Sequence, residues 1–269
     1  MSFLERMIEQ RLARVRADFG ALSKKDLESL AACGRESLLR ADLDSLRDRD
    51  DVVVIAEVKK SSPSEGVLSQ ECVPADRARL YQRGGAAVIS VLTEPEYFGG
   101  SFSDLSDVVG AVKLPVLCKD FVVDPMQLYM ARSCGADAVL LMVSVLGDRL
   151  PEYLDLASRL RLGHVVEVTD LDELDVASAA GATAIGVNAR DFTTLALDRE
   201  RQLAVVEEAA VCCEALVIAA SGIRSRADVE AAASAGAHAV LVGETLMRSS
   251  DPVKTLTELT GVRKGVRHE

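Results

Sequence analysis

Two lysine–glutamate combinations stand where short apolar runs of this 269-residue chain end. In Ile55-Ala56-Glu57-Val58-Lys59-Lys60, Glu57 and Lys59 are two residues apart, so in an extended chain they project to the same side. Lys119 follows Leu117-Cys118, and Glu167 lies within Val165-Val166-Glu167-Val168. Asn188 and Arg190 close a further run, Gly186-Val187. A charge beside such a run is costly if buried alone. Several gathered at one mouth satisfy each other and an anionic ligand, and paired lysines and carboxylates can give and take protons there. The competing reading is a set of solvated charges just past each run. It suits Glu57 and Glu167 least, because each precedes another apolar residue.

Two late turns add a second kind of chemistry. Ala220-Ser221-Gly222-Ile223 and Val242-Gly243-Glu244-Thr245 each put glycine in the turn that follows an apolar run. Glycine lets backbone approach a ligand closely, and a following short helix offers free N–H groups, which together suit a phosphate. Either glycine alone would equally mark a tight turn; both together, in the last two units of the chain, favour a phosphate grip.

The elements that must position these residues are legible as an alternation. β-Branched or Leu-rich runs occur at Val52–Val58, Ala87–Leu92, Pro115–Cys118, Ala138–Met142, Val165–Val168, Ala184–Val187, Leu216–Ala219 and Ala239–Val242. Helix-length amphipathic segments begin between them, near Pro74, Phe102, Pro125, Pro151, Asp170, Arg199 and Ser225, and a last one follows Asp251. A phrase starting Gly85-Ala, Gly135-Ala, Gly181-Ala and Gly236-Ala recurs at intervals of roughly 50 residues, about twice one βα unit. It reads as a helix end with glycine at C′, then a strand. An open doubly wound sheet would want a dinucleotide motif, and the chain has no GxGxxG. The expected fold is therefore an α/β (β/α)8 TIM barrel over residues 51–269, one domain.

Residues 1–50 read as a helical prefix packed on that barrel, with Leu4, Met7, Ile8 and Leu12 as its apolar stripe. Arg40–Asp51, dominated by charge, reads as loose and solvated, and Arg263–Glu269 as a frayed basic tail. The formal charge of −11 argues against a nucleic-acid partner, which would reward clustered Lys and Arg. No apolar stretch approaches the roughly 18 residues of a membrane span, and the charged N-terminus lacks the apolar core of a signal peptide. Six cysteines, Cys33 and Cys118 among them, show neither CxxC nor metal-type spacing, so reduced cysteines, a cytoplasmic setting and no metal site are expected.

From Val52 to Arg248 the residues resemble the indole-3-glycerol phosphate synthase family. The phrases that carry the resemblance are IAEVKKSSPSEG, VISVLTEPEYFGGS, LPVLCKDFVVD, VVEVTD, GVNARD, ASGI and VLVGETLM. The resemblance implies a carboxy-lyase of tryptophan biosynthesis that works without a cofactor. It would cyclise 1-(2-carboxyphenylamino)-1-deoxyribulose 5-phosphate to indole-3-glycerol phosphate with loss of carbon dioxide and water, as a monomer or weak homodimer. It further implies Lys119 as general acid at the ribulose carbonyl, with Glu167 as its carboxylate partner in acid–base work. Lys59 would take the anthranilate carboxylate, with Glu57 tuning its charge. Asn188 and Arg190 would orient the substrate; Ser62, Ser221, Gly222, Gly243 and the backbone of Glu244 would hold its phosphate. A lysine near an apolar lumen is also expected to have its pKa lowered. Tyr97 and Phe98, in the loop after strand two, read either as ordinary loop packing or as lining for the substrate's benzene ring, and Phe121, after strand three, is a further candidate for substrate binding.

One residue departs from the resemblance. Where the family usually reads Glu-Ser-Gly after strand seven, this chain reads Ala220-Ser221-Gly222. The lumen then lacks a carboxylate, which leaves three readings open: impaired catalysis, a paralogue with an altered substrate, or a substitution introduced by engineering. A different phosphosugar barrel would want a cysteine–carboxylate or two-carboxylate pair, and a barrel kept only for binding would not need Lys59, Lys119 and Glu167. His164 and His238 precede strands five and eight and are read as structural, His268 lies in the tail, and Cys118 should point away from Lys119.

Overall fold

Strand alternation separates the buried side chains into two sets. Along Asp51–Val58 (β1), Val53 and Ile55 belong to one apolar cluster, and Val52, Val54, Ala56 and Val58 to another. The same division runs through Val88–Leu92 (β2), Val116–Lys119 (β3), Ala138–Met142 (β4) and Gly163–Val168 (β5). It continues in Ala184–Asn188 (β6), Leu216–Ala220 (β7) and Ala239–Val242 (β8). The computed structural model, which describes residues 2–32, 43–69, 72–192 and 194–265, pairs these eight strands in parallel and in sequence order. Val53 pairs with Ala239, so β8 returns to β1 and the sheet closes. The first cluster is the filled lumen of a (β/α)8 barrel; the second is the layer between sheet and helices.

The helices start and stop for local reasons. Phe102–Ala111 (α5), Leu171–Ala179 (α9), Arg199–Cys212 (α10), Arg226–Ser234 (α11) and Pro252–Leu259 (α13) each follow a Ser or Asp whose side chain accepts an N–H of the first turn. Proline opens Pro74–Arg83 (α4) and stands in the first turn of Leu150–Arg159 (α8). Met126–Ser133 (α6) completes the ring. Gly85, Gly135, Gly181 and Gly236, the glycines of the repeated phrase, all have φ between +80° and +93°, the left-handed stop that favours glycine. Two further short helices, Val143–Leu146 (α7) and Glu244–Arg248 (α12), sit directly after β4 and β8.

The prefix is helical at Phe3–Phe19 (α1), Lys24–Ala32 (α2) and Leu43–Arg47 (α3). Its buried side differs from the expected stripe. Met7, Arg11 and Val15 are buried, while Leu4, Ile8 and Leu12 are half-covered. The cause is Arg11, whose Nε and Nη2 donate to both oxygens of buried Asp120 at 2.8 and 2.6 Å and rotate the helix onto the barrel. Arg40–Asp51 was expected to be loose; Arg40–Asp42 lie outside the described residues, and the rest is ordered by packing. Leu46 is buried, Arg47 donates to the carbonyl of Glu214, and Lys264 Nζ donates to the carbonyls of Leu46 and Arg47. The tail likewise does not fray at Arg263. Val262–Arg263 (β9) pairs antiparallel with Asp51–Val52, and Arg263 meets Asp50 at 2.8 Å. Cys33 and His268 fall outside the described residues. Among the described residues no helix is long and apolar enough to cross a membrane.

Candidate active site

The last inward positions of β1, β3, β5 and β6 carry Glu57, Lys119, Glu167 and Asn188, and the register of the closed sheet brings them together. Glu57 Oε1 lies 3.0 Å from Lys59 Nζ, and its Oε2 lies 3.8 Å from Lys119 Nζ. Lys119 Nζ is also 4.0 Å from Glu167 Oε2. Asn188 Nδ2 donates to Glu167 Oε1 at 3.0 Å, and the Arg190 N–H donates to Asn188 Oδ1 at 2.9 Å. The two expected pairs are thus one circuit from Lys59 to Arg190, with Glu57 shared between both lysines.

Burial and charge oppose each other inside this circuit. Burial pushes the Glu57 carboxyl upward, but Lys59 and Lys119 outweigh it and hold the group below the usual carboxylate range. For Lys119, burial lowers the pKa, yet Glu167 and Glu57 together raise it above the ordinary lysine value. This reverses the expected lowering. The lumen around Lys119 is apolar only below it, and at its own level it meets two carboxylates. Glu57 Oε2 is buried and makes no hydrogen bond, because 3.8 Å suits charge attraction only.

The turns after β7 and β8 are shaped by backbone demands. Ser221 and Gly222 are consecutive left-handed residues, with φ of +69° and +73°. For a serine this costs about 1 kcal/mol, and both residues line the cavity. Gln202, buried on α10, donates to the carbonyls of Val187 and Ala220 and ties the ends of β6 and β7. Gly243 has an ordinary φ of −116°, so glycine is needed there for space. A Cβ would stand 2.3 Å from Glu57 Oε1 and 3.2 Å from Lys59 Nζ.

These groups surround an open cavity of about 820 Å³, counting its mouth. Glu57, Lys59, Lys119, Asn188 and Arg190 line it, as do Ser62, Ser221, Gly222, Gly243 and Glu244, and Gly243 abuts Glu57 and Lys59. A phosphorylated ligand with a carboxylate would find cationic and neutral donors in one cavity. The indole-3-glycerol phosphate synthase family model matches residues 4–259 of this chain.

The chain belongs to the indole-3-glycerol phosphate synthase family. A relative of that name from Leifsonia xyli subsp. xyli is 49% identical, over 82% of this chain and 84% of its own. Indole-3-glycerol phosphate synthase 1 of Streptomyces coelicolor is 42% identical, over 100% of this chain and 99% of its own. Among solved structures, a tryptophan synthase from M. tuberculosis superposes with a TM-score of 0.62 at 16% identity, over 84% of this chain and 97% of that one. A thiamine phosphate pyrophosphorylase from Pyrococcus furiosus gives 0.60 at 16% identity, over 80% and 95%. At that identity the two structures share the barrel fold alone.

Against the indole-3-glycerol phosphate synthase resemblance, most expected residues converge, and two stand back. Glu167 is 2% exposed and lies behind Lys119 and Asn188, outside the cavity lining. Phe121 is also behind the wall, its ring 6.0 Å from Phe98 and 5.3 Å, edge-on, from Phe192. Phe98 and Phe192 themselves line the cavity. Tyr97 instead packs against Phe3 of the prefix at 5.1 Å. Ala220, where the resemblance expects glutamate, presents its methyl to the lumen beside Asn188, its register partner. Cys118 faces the helix layer near Thr93, and burial pushes its thiol up. His238 Nδ1 accepts the Val217 N–H and His164 Nε2 that of Thr183, both at the opposite end of the barrel.

Several supporting residues were missed. Phe192 had no signal beyond following Arg190-Asp191. Glu94 is 1% exposed and accepts the N–H groups of Glu96, Tyr97 and Phe98, folding the loop that holds Phe98 in the wall. Burial raises its pKa even so. Arg11 did leave a trace, a cation four residues from Met7 and from Val15 on one helical face.

Proposed function

We propose that this chain is an indole-3-glycerol phosphate synthase, acting on 1-(2-carboxyphenylamino)-1-deoxyribulose 5-phosphate in the cytoplasm. The observation that carries the reading is Lys119 Nζ, bracketed 3.8 Å from Glu57 and 4.0 Å from Glu167 at the cavity floor. Two carboxylates keep it an ammonium, so it carries the proton a general acid must give, and those carboxylates stand where they can take one back.

Lys119 gives its proton to the ribulose carbonyl oxygen as the ring carbon bearing the carboxylate forms the new carbon–carbon bond. Carbon dioxide then leaves, its bonding electron pair returning to the ring and restoring aromaticity. The hydroxyl made in the first step departs as water after protonation, and a proton leaves the carbon next to nitrogen. Glu167, behind Lys119 and bonded to Asn188, is placed to relay that second pair of transfers. Lys59 takes the anthranilate carboxylate, with Glu57 holding it. Asn188 and Arg190 orient the chain of the sugar. Ser62, Ser221, Gly222, Gly243 and the Glu244 backbone receive the phosphate, where glycine and left-handed backbone leave N–H groups free for an anion.

Steady-state formation of indole-3-glycerol phosphate, followed by indole fluorescence, tests the reading. Wild type should turn over the substrate and Lys119→Ala should lose at least about a hundredfold in kcat with the fold intact. Substantial remaining turnover in the variant would remove Lys119 as the acid. Ala220 favours a second reading, a family member with an altered substrate, because its methyl leaves the lumen one carboxylate short of the resemblance. Wild type inactive on this substrate, and still inactive as Ala220→Glu, would favour that reading.

A further inference from the structure

The residues assigned to phosphate include an acidic one, Glu244. Ser62, Ser221, Gly222 and Gly243 supply neutral donors, and Lys59 and Arg224 lie on the same lining, yet so does Glu244. A free carboxylate several ångströms from a phosphate dianion weakens binding by roughly five- to tenfold at low salt.

The Glu244 carboxylate is not free. Its Oε1 lies 3.4 Å from Nε of Arg248, one turn further along α12. Arg248 Nη2 lies 3.0 Å from Glu65 Oε2. Glu65 stands in the turn of a small hairpin, Ser61–Ser62 with Gly66–Val67, and follows Ser64, which also lines the cavity. One guanidinium therefore joins Glu244, which lines the cavity, to Glu65, which adjoins the lining residue Ser64, while Arg248 itself stays out of the lining. The three side chains are between 30% and 49% exposed, and pairs so exposed contribute little to folding. What the arrangement governs is where charge sits.

We propose that Arg248 is a positioning residue for phosphate recognition, holding Glu244 and Glu65 in ion pairs and so keeping their charge off the substrate's phosphate. The proposal rests on the assignment of the turns after β7 and β8 as the phosphate end. It deepens that assignment by naming what makes an acidic residue tolerable there. Arg248 would touch no reacting atom, so its removal should weaken binding and leave the chemical step alone.

The test uses the full chain and inorganic phosphate as probe, by calorimetry and as a competitor of turnover. Arg248→Met should raise the phosphate Kd and the substrate KM by about five- to tenfold, with kcat within about twofold. Adding Glu244→Gln to Arg248→Met should recover most of the loss, since it removes the charge that Arg248 had held. Raising salt from about 20 to 500 mM should shrink the gap between Arg248→Met and wild type, which a packing defect would not do. Arg248→Lys, which keeps the charge, should bind phosphate nearly as wild type does, and it serves if the Met variant folds poorly. Phosphate bound equally by wild type and Arg248→Met, or no recovery in the double variant, overturns the role of Arg248 alone. Wild type that binds no phosphate, directly or in competition, overturns the phosphate end and this proposal with it.

Discussion

Gly243 and Glu57 occupy one another's space: a Cβ at position 243 would stand 2.3 Å from Glu57 Oε1. Gly243→Ala therefore forces the carboxylate to move, and with it the 3.0 Å pair to Lys59. Displacements of this order in a catalytic constellation cost about tenfold to a hundredfold. The expected outcome is a loss of that size in kcat/KM with the melting temperature lowered only slightly. Unchanged kcat/KM would mean that the position of Glu57 does not matter to turnover.

The shared carboxylate also sets a pH dependence. Lys119 is raised above the ordinary lysine value by Glu167 and Glu57 against burial. A raised folded pKa favours the charged form fully below the unfolded value of about 10.4, and the advantage is lost as pH rises through the folded value. The alkaline limb of kcat/KM should thus lie above the ordinary lysine range. In Glu57→Gln one of the two carboxylates is gone, and the limb should move to lower pH. A limb that stays in place would show that Glu57 does not hold the proton on Lys119.

Ala220→Glu puts a carboxylate into the lumen beside Asn188. A buried carboxylate without a partner destabilises by several kcal/mol, and Lys119 across the lumen is the available partner. The expected result is a rise in kcat of about a hundredfold on the carboxyphenylamino substrate, the lower end of a general acid–base contribution. A fall in activity in a folded variant would indicate a site shaped for a different substrate.

Arg11 and Asp120 form a bidentate pair whose side chains are 2% and 1% exposed. Removing one partner strands a buried charge, which typically costs about 3 to 5 kcal/mol. Arg11→Met should lower denaturant stability by that amount, and Asp120→Asn in the same chain should recover part of it. Additive losses in the double variant would show that the two side chains do not act as a pair.

Patterns local to the chain specify the eight strands, the helix starts and the inward placement of Glu57, Lys119 and Glu167. These follow from alternation, capping and turn chemistry, which act between residues close along the chain. Strand ends shifted by a residue or two, as at Gly163 and Asp51, because ladder partners and not composition set them. Motif resemblance carried the candidate site further than local patterns could. Only the tertiary structure decided how the charges couple. That Glu57 serves both lysines, that Lys119 rises instead of falling, and that Glu167 and Phe121 stand behind the wall depend on the register of a closed sheet. The same holds for Arg11 on Asp120 and Arg248 on Glu65, contacts spanning 109 and 183 positions of the chain. Coulomb and burial terms depend on distances across the barrel, and no spacing along the chain contains them.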